Sequence, residues 1–172
     1  ATHVSGIASG SDKSTPYYGV APDADLVFVS FKTTNAQIVD GIKYVFDYAK
    51  SVGKPAVVNI SLGSHMGPHD GSSDTDLSFA NLVGPGRIIV GAAGNEGLDK
   101  LHASKTFTAT NKQLKTMFAY GSEQANSSYK QAYVDIWAEK NSKISVKAVV
   151  VNTLNGKIIA SSDEVSCGSR HR

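Results

Sequence analysis

Arg87-Ile88-Ile89-Val90-Gly91-Ala92-Ala93-Gly94-Asn95-Glu96-Gly97 decides how the first hundred residues are read. Its first half is a strand-like apolar run, and its second half opens into small residues that present one amide side chain. A similar strand over residues 56–61 precedes it and leads into Leu62-Gly63-Ser64. Between the two lie a loop of Gly, Ser and His and a weaker helical stretch carrying Leu77, Ala80, Leu82 and Val83. Further upstream, Ile38, Ile42, Val45, Phe46, Ala49 and Val52 recur at three- and four-residue intervals. That spacing makes one apolar stripe of an amphipathic helix over residues 36–52, with Gly53 as its stop. Residues 25–31 form a short apolar run suited to a strand covered on both faces. Strand, helix, strand, helix, strand is the order expected of a right-handed parallel α/β sheet. Ligands gather beyond the carboxyl ends of such strands, and both Ser61-Leu62-Gly63 and Ala93-Gly94-Asn95 fall at that edge.

After about His102 the pattern changes to alternation. Residues 106–109, 114–119, 133–138, 144–151 and 157–160 read as short strands, and Asn155-Gly156 is a strong hairpin turn between the last two. No helical pattern intervenes, so this half is expected to be antiparallel. The sequence therefore divides into residues 1–102, an α/β part, and residues 103–172, an antiparallel β domain with Trp137 packed inside.

Composition excludes several classes of function. The 172 residues carry 17 Lys and Arg against 15 Asp and Glu, a net charge of +2 with the two signs interspersed. Such a balance provides neither an electrostatic footprint for nucleic acid nor a basic stripe for a membrane surface. No apolar run approaches the roughly 20 residues of a spanning helix. Cys167 is the single cysteine, so no intrachain disulfide can form.

Asn95 is the candidate for chemistry. An amide at the end of such a strand donates two hydrogen bonds without ionising, the electrostatic task of stabilising an oxyanion in acyl transfer. On the local motif alone, the alternative is a turn asparagine between Gly94 and Gly97. His65 and His69 are four apart beside Asp70, a spacing that would converge on a metal in a helix. Gly67 and Pro68 between them favour a loop at the rim of a cleft instead, and no metal site is assigned. His3 reads as a packed helix histidine.

Three segments, in order, resemble the subtilisin-like serine proteases (subtilases): Thr2-His3-Val4-Ser5-Gly6, Val57-Val58-Asn59-Ile60-Ser61-Leu62-Gly63-Ser64, and Ala92-Ala93-Gly94-Asn95-Glu96-Gly97. Gly19-Val20-Ala21-Pro22 is similar to the turn that leads into a strand in that family. The resemblance implies that Asn95 supplies the oxyanion hole. It also implies that Ser61, Leu62 and Gly63 pair with an extended peptide substrate while Ala93 and Gly94 wall the neighbouring pocket. The family's histidine motif is His-Gly-Thr-His-Val-Ala-Gly, with the first histidine catalytic; aligned on Ala1-Thr2-His3-Val4-Ser5-Gly6, that residue falls before Ala1, and His3 matches the second, non-catalytic one. The nucleophile motif Gly-Thr-Ser-Met-Ala has no counterpart in the 172 residues. Asp135-Ile136-Trp137 followed by paired strands looks like part of the jelly-roll domain that some family members insert between the oxyanion asparagine and the nucleophile.

The expected fold is a partial subtilisin-like parallel sheet with flanking helices, followed by an incomplete antiparallel β-sandwich or jelly-roll-like insertion. The expected function is that of the central portion of a serine endopeptidase, secreted or associated with the cell envelope, acting on polypeptides and inactive without the catalytic Asp, His and Ser. No cofactor is evident; calcium is a candidate for the parent, with no site readable in these residues. The truncated α/β half is expected to self-associate through apolar surface. A β-rich binding or scaffolding module of a catalytically dead relative is the alternative.

Overall fold

Helix α1 (Thr2–Ser9) opens the computed structural model, which describes residues 2–32, 34–117 and 133–167. Residues 19–21 cross the end of α1 at backbone distance: Gly19 N–H donates to Gly10 O at 2.8 Å and Val20 N–H to Ile7 O at 3.0 Å. A Cβ on Gly19 would lie 2.3 Å from Gly10 N, so only glycine allows the crossing. The buried Ser9 hydroxyl donates to Ala21 O at 2.6 Å and fastens the two segments from the inside.

Helix α2 (Asn35–Ser51) matches the apolar stripe in the sequence and contributes the buried core, Ile42, Phe46 and Ala49. Thr34 caps its start, its side chain accepting from Gln37 N–H. Its end is a paired C-terminal motif: Lys54 N–H donates to Ala49 O at 2.9 Å and Gly53 N–H to Lys50 O at 3.2 Å. This pairing requires the left-handed φ of 68° that Gly53 adopts. Strand β1 (Ala56–Ile60) follows directly and packs on α2. Helix α3 (Asp74–Leu82), capped by Ser73 and with Asp74 and Asp76 in its first turn, also packs on α2 and returns the chain to strand β2 (Arg87–Gly91).

β1 and β2 pair in parallel, with Ala56 opposite Arg87 and Ile60 opposite Gly91. Partners in a parallel register share a face. Ala56, Val58, Ile60 and Ile89 are half-buried, whereas Val57, Ile88 and Val90 on the other face are exposed. Among the described residues this sheet has two strands. Residues 25–31 are not a strand: Leu26 and Phe28 are exposed, Val29 packs on α2 at Gly41, and Asp25 pairs with Lys54. Of this run only Val29 thus packs on a helix, without joining a ladder, and the two sheet strands are covered on one face.

The chain divides into two compact units, residues 1–125 and 126–172. In the second, strand β3 (Ile144–Val146) pairs antiparallel with β6 (Val165–Cys167), and β4 (Val149–Val151) with β5 (Ile158–Ser161). The two ladders nest as one long hairpin around Asn155-Gly156, where Gly156 has φ 70°. Ser162 occupies the break between them: its N–H donates to Ala148 O at 2.9 Å, and its hydroxyl accepts from Ala148 N–H at 3.0 Å. The hairpin predicted at Asn155-Gly156 is therefore present.

Other strands expected in this half are not. Residues 106–109, 114–117 and 133–138 join no ladder, and residues 118–119 lie outside the described part. Trp137 is 59% exposed and so does not fill a β-domain interior. Alternation marks a segment suited to a half-covered sheet face, but a ladder also needs a partner strand, and these segments have none among the described residues. Among the described residues the sheets of this unit are small and two-stranded, one part of the larger antiparallel insertion that the sequence led us to expect.

Candidate functional site

The register of β1 and β2 sets the geometry. Ile60 lies opposite Gly91, and Ala92 N–H donates to Ile60 O at 3.0 Å, so the two strands end together. The chain leaves β1 as Ser61-Leu62-Gly63 and leaves the β2 ladder as Ala93-Gly94-Asn95. Both segments start from the carboxyl edge of one parallel pair, where open sheets hold ligands.

Ser61 is held by Asn59, whose side-chain amide donates to Ser61 Oγ at 2.8 Å. Ser61, Leu62 and Gly63 are exposed, and among the described residues their backbone groups make no hydrogen bond. A strip of free donors and acceptors continuing a strand is what an added extended peptide requires. Beyond it the loop is shaped locally. Met66 N–H donates to Ser64 Oγ at 3.2 Å, the His69 ring nitrogen lies 3.1 Å from His65 O, and His69 takes the left-handed φ of 56°. The spacing of His65 and His69 is thus that of a loop. Among the described residues, no group of three or more His, Cys, Asp or Glu side chains could hold a metal ion. The Asp70 carboxyl is held below its ordinary value, first by the Ser72 hydroxyl and then by the Ser72 N–H.

On the other segment, Ala93, Gly94 and Asn95 are exposed, and Gly94 adopts φ 89°. Among the described residues the Asn95 carboxamide has no hydrogen-bond partner, leaving both of its donors available. The Asn95 main chain, by contrast, is engaged: its N–H donates to Glu96 Oε2 at 2.7 Å. That oxygen lies 3.4 Å from His65 Nε2 on the loop after β1. The Glu96 carboxyl is held below its ordinary value, mainly by the Asn95 N–H, with the His65 charge and hydrogen bond adding to it. Sequence reasoning passed over Glu96 and treated His65 only as one of a pair with His69. The available signal was positional, since parallel strands ending in step bring the residues just beyond their ends together.

The sequence profile of the subtilase family, peptidase S8, matches residues 1–170. This chain belongs to the subtilase family. The subtilase profile covers both strand ends and the hairpin unit alike. Among curated relatives, the chain is 32% identical over 116 residues to the subtilisin-like protease PopC of Myxococcus xanthus, a match covering 57% of this chain and 23% of that protein. It is 34% identical over 101 residues to a thermostable alkaline protease of Halalkalibacterium halodurans, covering 56% and 26%. With the major intracellular serine protease of Bacillus subtilis it shares 33% identity over 102 residues, covering 56% and 29%. The chain thus spans about a quarter of the length of these subtilase relatives. No solved structure matches it significantly. No described helix is long and apolar enough to cross a membrane.

Proposed function

We propose that this chain forms the substrate cleft and oxyanion side of a subtilisin-like serine endopeptidase. The observation that carries the reading is the shared ending of β1 and β2, which starts Ser61-Leu62-Gly63 and Ala93-Gly94-Asn95 from one edge. In this reading an extended polypeptide adds to the free backbone of Ser61, Leu62 and Gly63, gaining affinity that does not depend on its sequence. Ala93 and Gly94 form a wall of the pocket for the residue before the scissile bond, and their small size leaves it open. When a nucleophile attacks the scissile carbonyl, the Asn95 amide donates to the oxygen as negative charge develops there.

The proposal assigns the catalytic Asp, His and Ser to residues outside these 172. The present stretch by itself is then inactive, and the hairpin unit belongs to an inserted β domain. We place the parent in the secreted or cell-envelope class on family resemblance, a placement that cell fractionation tests. A serine-directed fluorophosphonate and a broad-specificity chromogenic peptide test the functional reading. The complete protein should cleave the peptide and take one label at a serine outside these residues, while the 172-residue chain should do neither. Stoichiometric labelling of the short chain would overturn the assignment, and an inert complete protein would favour a binding module.

A further inference from the structure

We infer that Glu96 is a positioning residue: braced by His65, its carboxylate holds the Asn95 main chain and so aims the Asn95 carboxamide. The inference rests on the reading of Asn95 as the oxyanion donor and adds the device that sets its direction. The need for one is plain from the ladder. Its last bond, Ala92 N–H to Ile60 O, leaves the chain three residues short of Asn95. Beyond that point the Asn95 N–H is taken by Glu96 Oε2 at 2.7 Å, so the side chain of one residue folds back onto the amide that precedes it. Gly94 makes room for the fold-back: a Cβ there would stand 2.6 Å from the same carboxylate oxygen.

The oxygen also faces His65 Nε2 at 3.4 Å, and His65 belongs to the other strand-end loop. His65, Glu96 and the Asn95 N–H therefore make a bridge from one wall of the proposed cleft to the other. With the N–H direction held, the carboxamide keeps rotation about its own N–Cα bond and side-chain torsions, and the freedom of the preceding peptide plane is removed. A donor held before charge develops stabilises it without reorganising, which is the condition for a large electrostatic effect. Among the described residues His65 is the ionisable side chain facing Glu96. The Glu96 carboxyl titrates below the ordinary glutamate range. The bond from the Asn95 N–H to the Glu96 carboxylate is thus weakened as the pH falls through the lowered Glu96 value.

Two measurements test this. In the 172-residue chain, NMR from about pH 3 to about pH 7 should show the Asn95 amide resonance titrating in step with the Glu96 carboxyl. Glu96→Ala should abolish the step, and His65→Ala should move the Glu96 midpoint upward. An Asn95 amide indifferent to Glu96 ionisation would overturn the bridge. In the complete protease, Glu96→Ala should lower kcat about ten- to a hundred-fold with KM little changed, and Glu96→Gln, which keeps an acceptor, should restore part of it. Wild-type kcat in Glu96→Ala, in an enzyme that Asn95→Leu cripples, would overturn the positioning role alone. Wild-type kcat in Asn95→Leu would instead overturn the oxyanion reading and the catalytic part of this inference with it, while the amide titration still reports whether the bridge exists.

Discussion

Replacing Asn95 by leucine keeps a branched side chain of similar size and removes both N–H donors. Because that carboxamide is exposed and has no partner among the described residues, the substitution breaks no contact inside the fold. Stability should therefore stay within about 0.5 kcal/mol of wild type. The effect should fall on turnover instead. Loss of one oxyanion donor costs about a hundred- to a thousand-fold in kcat, or about 2.7–4 kcal/mol of transition-state stabilisation. KM should change far less, since the ground-state carbonyl carries little of the charge that the amide meets later. The assay is steady-state hydrolysis of a chromogenic peptide by the complete protease, wild type and variant, with a urea titration of each. Unchanged kcat would refute the reasoning, as would a loss of kcat that merely follows a loss of folded protein.

Other consequences follow from the fold. Phe46, 4% exposed between Ile42 and Ala49, anchors the buried face of α2. Phe46→Ala should cost about 3–5 kcal/mol or unfold the chain outright by urea denaturation, and a cost below about 1 kcal/mol would place the core elsewhere. Gly53 has φ 68° and open space where a Cβ would go, so Gly53→Ala should cost about 1–2 kcal/mol from the backbone alone, read as a lower thermal midpoint. Val57, Ile88 and Val90 leave one sheet face open, and we expect the isolated chain to dimerise or exchange elements through it. Sedimentation showing a clean monomer at high concentration would count against that.

The order from α2 to β2 was legible because each element there answers to local chemistry. The spacing from Ile38 to Ala49 could only be satisfied by a helix, Gly53 ended it where a left-handed residue was needed, and Asn155-Gly156 turned a hairpin. What failed were inferences about partners. An apolar run such as residues 25–31 records a preference for covered surroundings, which only Val29 meets, against a helix and not in a strand. Alternation over residues 106–109 and 133–138 likewise records a face without guaranteeing a neighbour to form a ladder. The site divides the same way. Asn95 became a candidate through three ordered segments that resemble the family, while the pairing of His65 with Glu96 comes from two strands ending in step, a property of the register that neither segment carries alone.

The parallel pairing of β1 and β2 also has a kinetic meaning. A hairpin closes over a few residues, so β4 and β5 can meet early around Asn155-Gly156. β1 and β2 can align only after the chain between Ile60 and Arg87 has looped back with α3 inside it, and the entropy of that closure must be met before the first ladder bond rewards it. The two loops of the candidate site begin where that ladder finishes. They are expected to be the last part of the first unit to come together on folding, and the first to part when the chain is stressed.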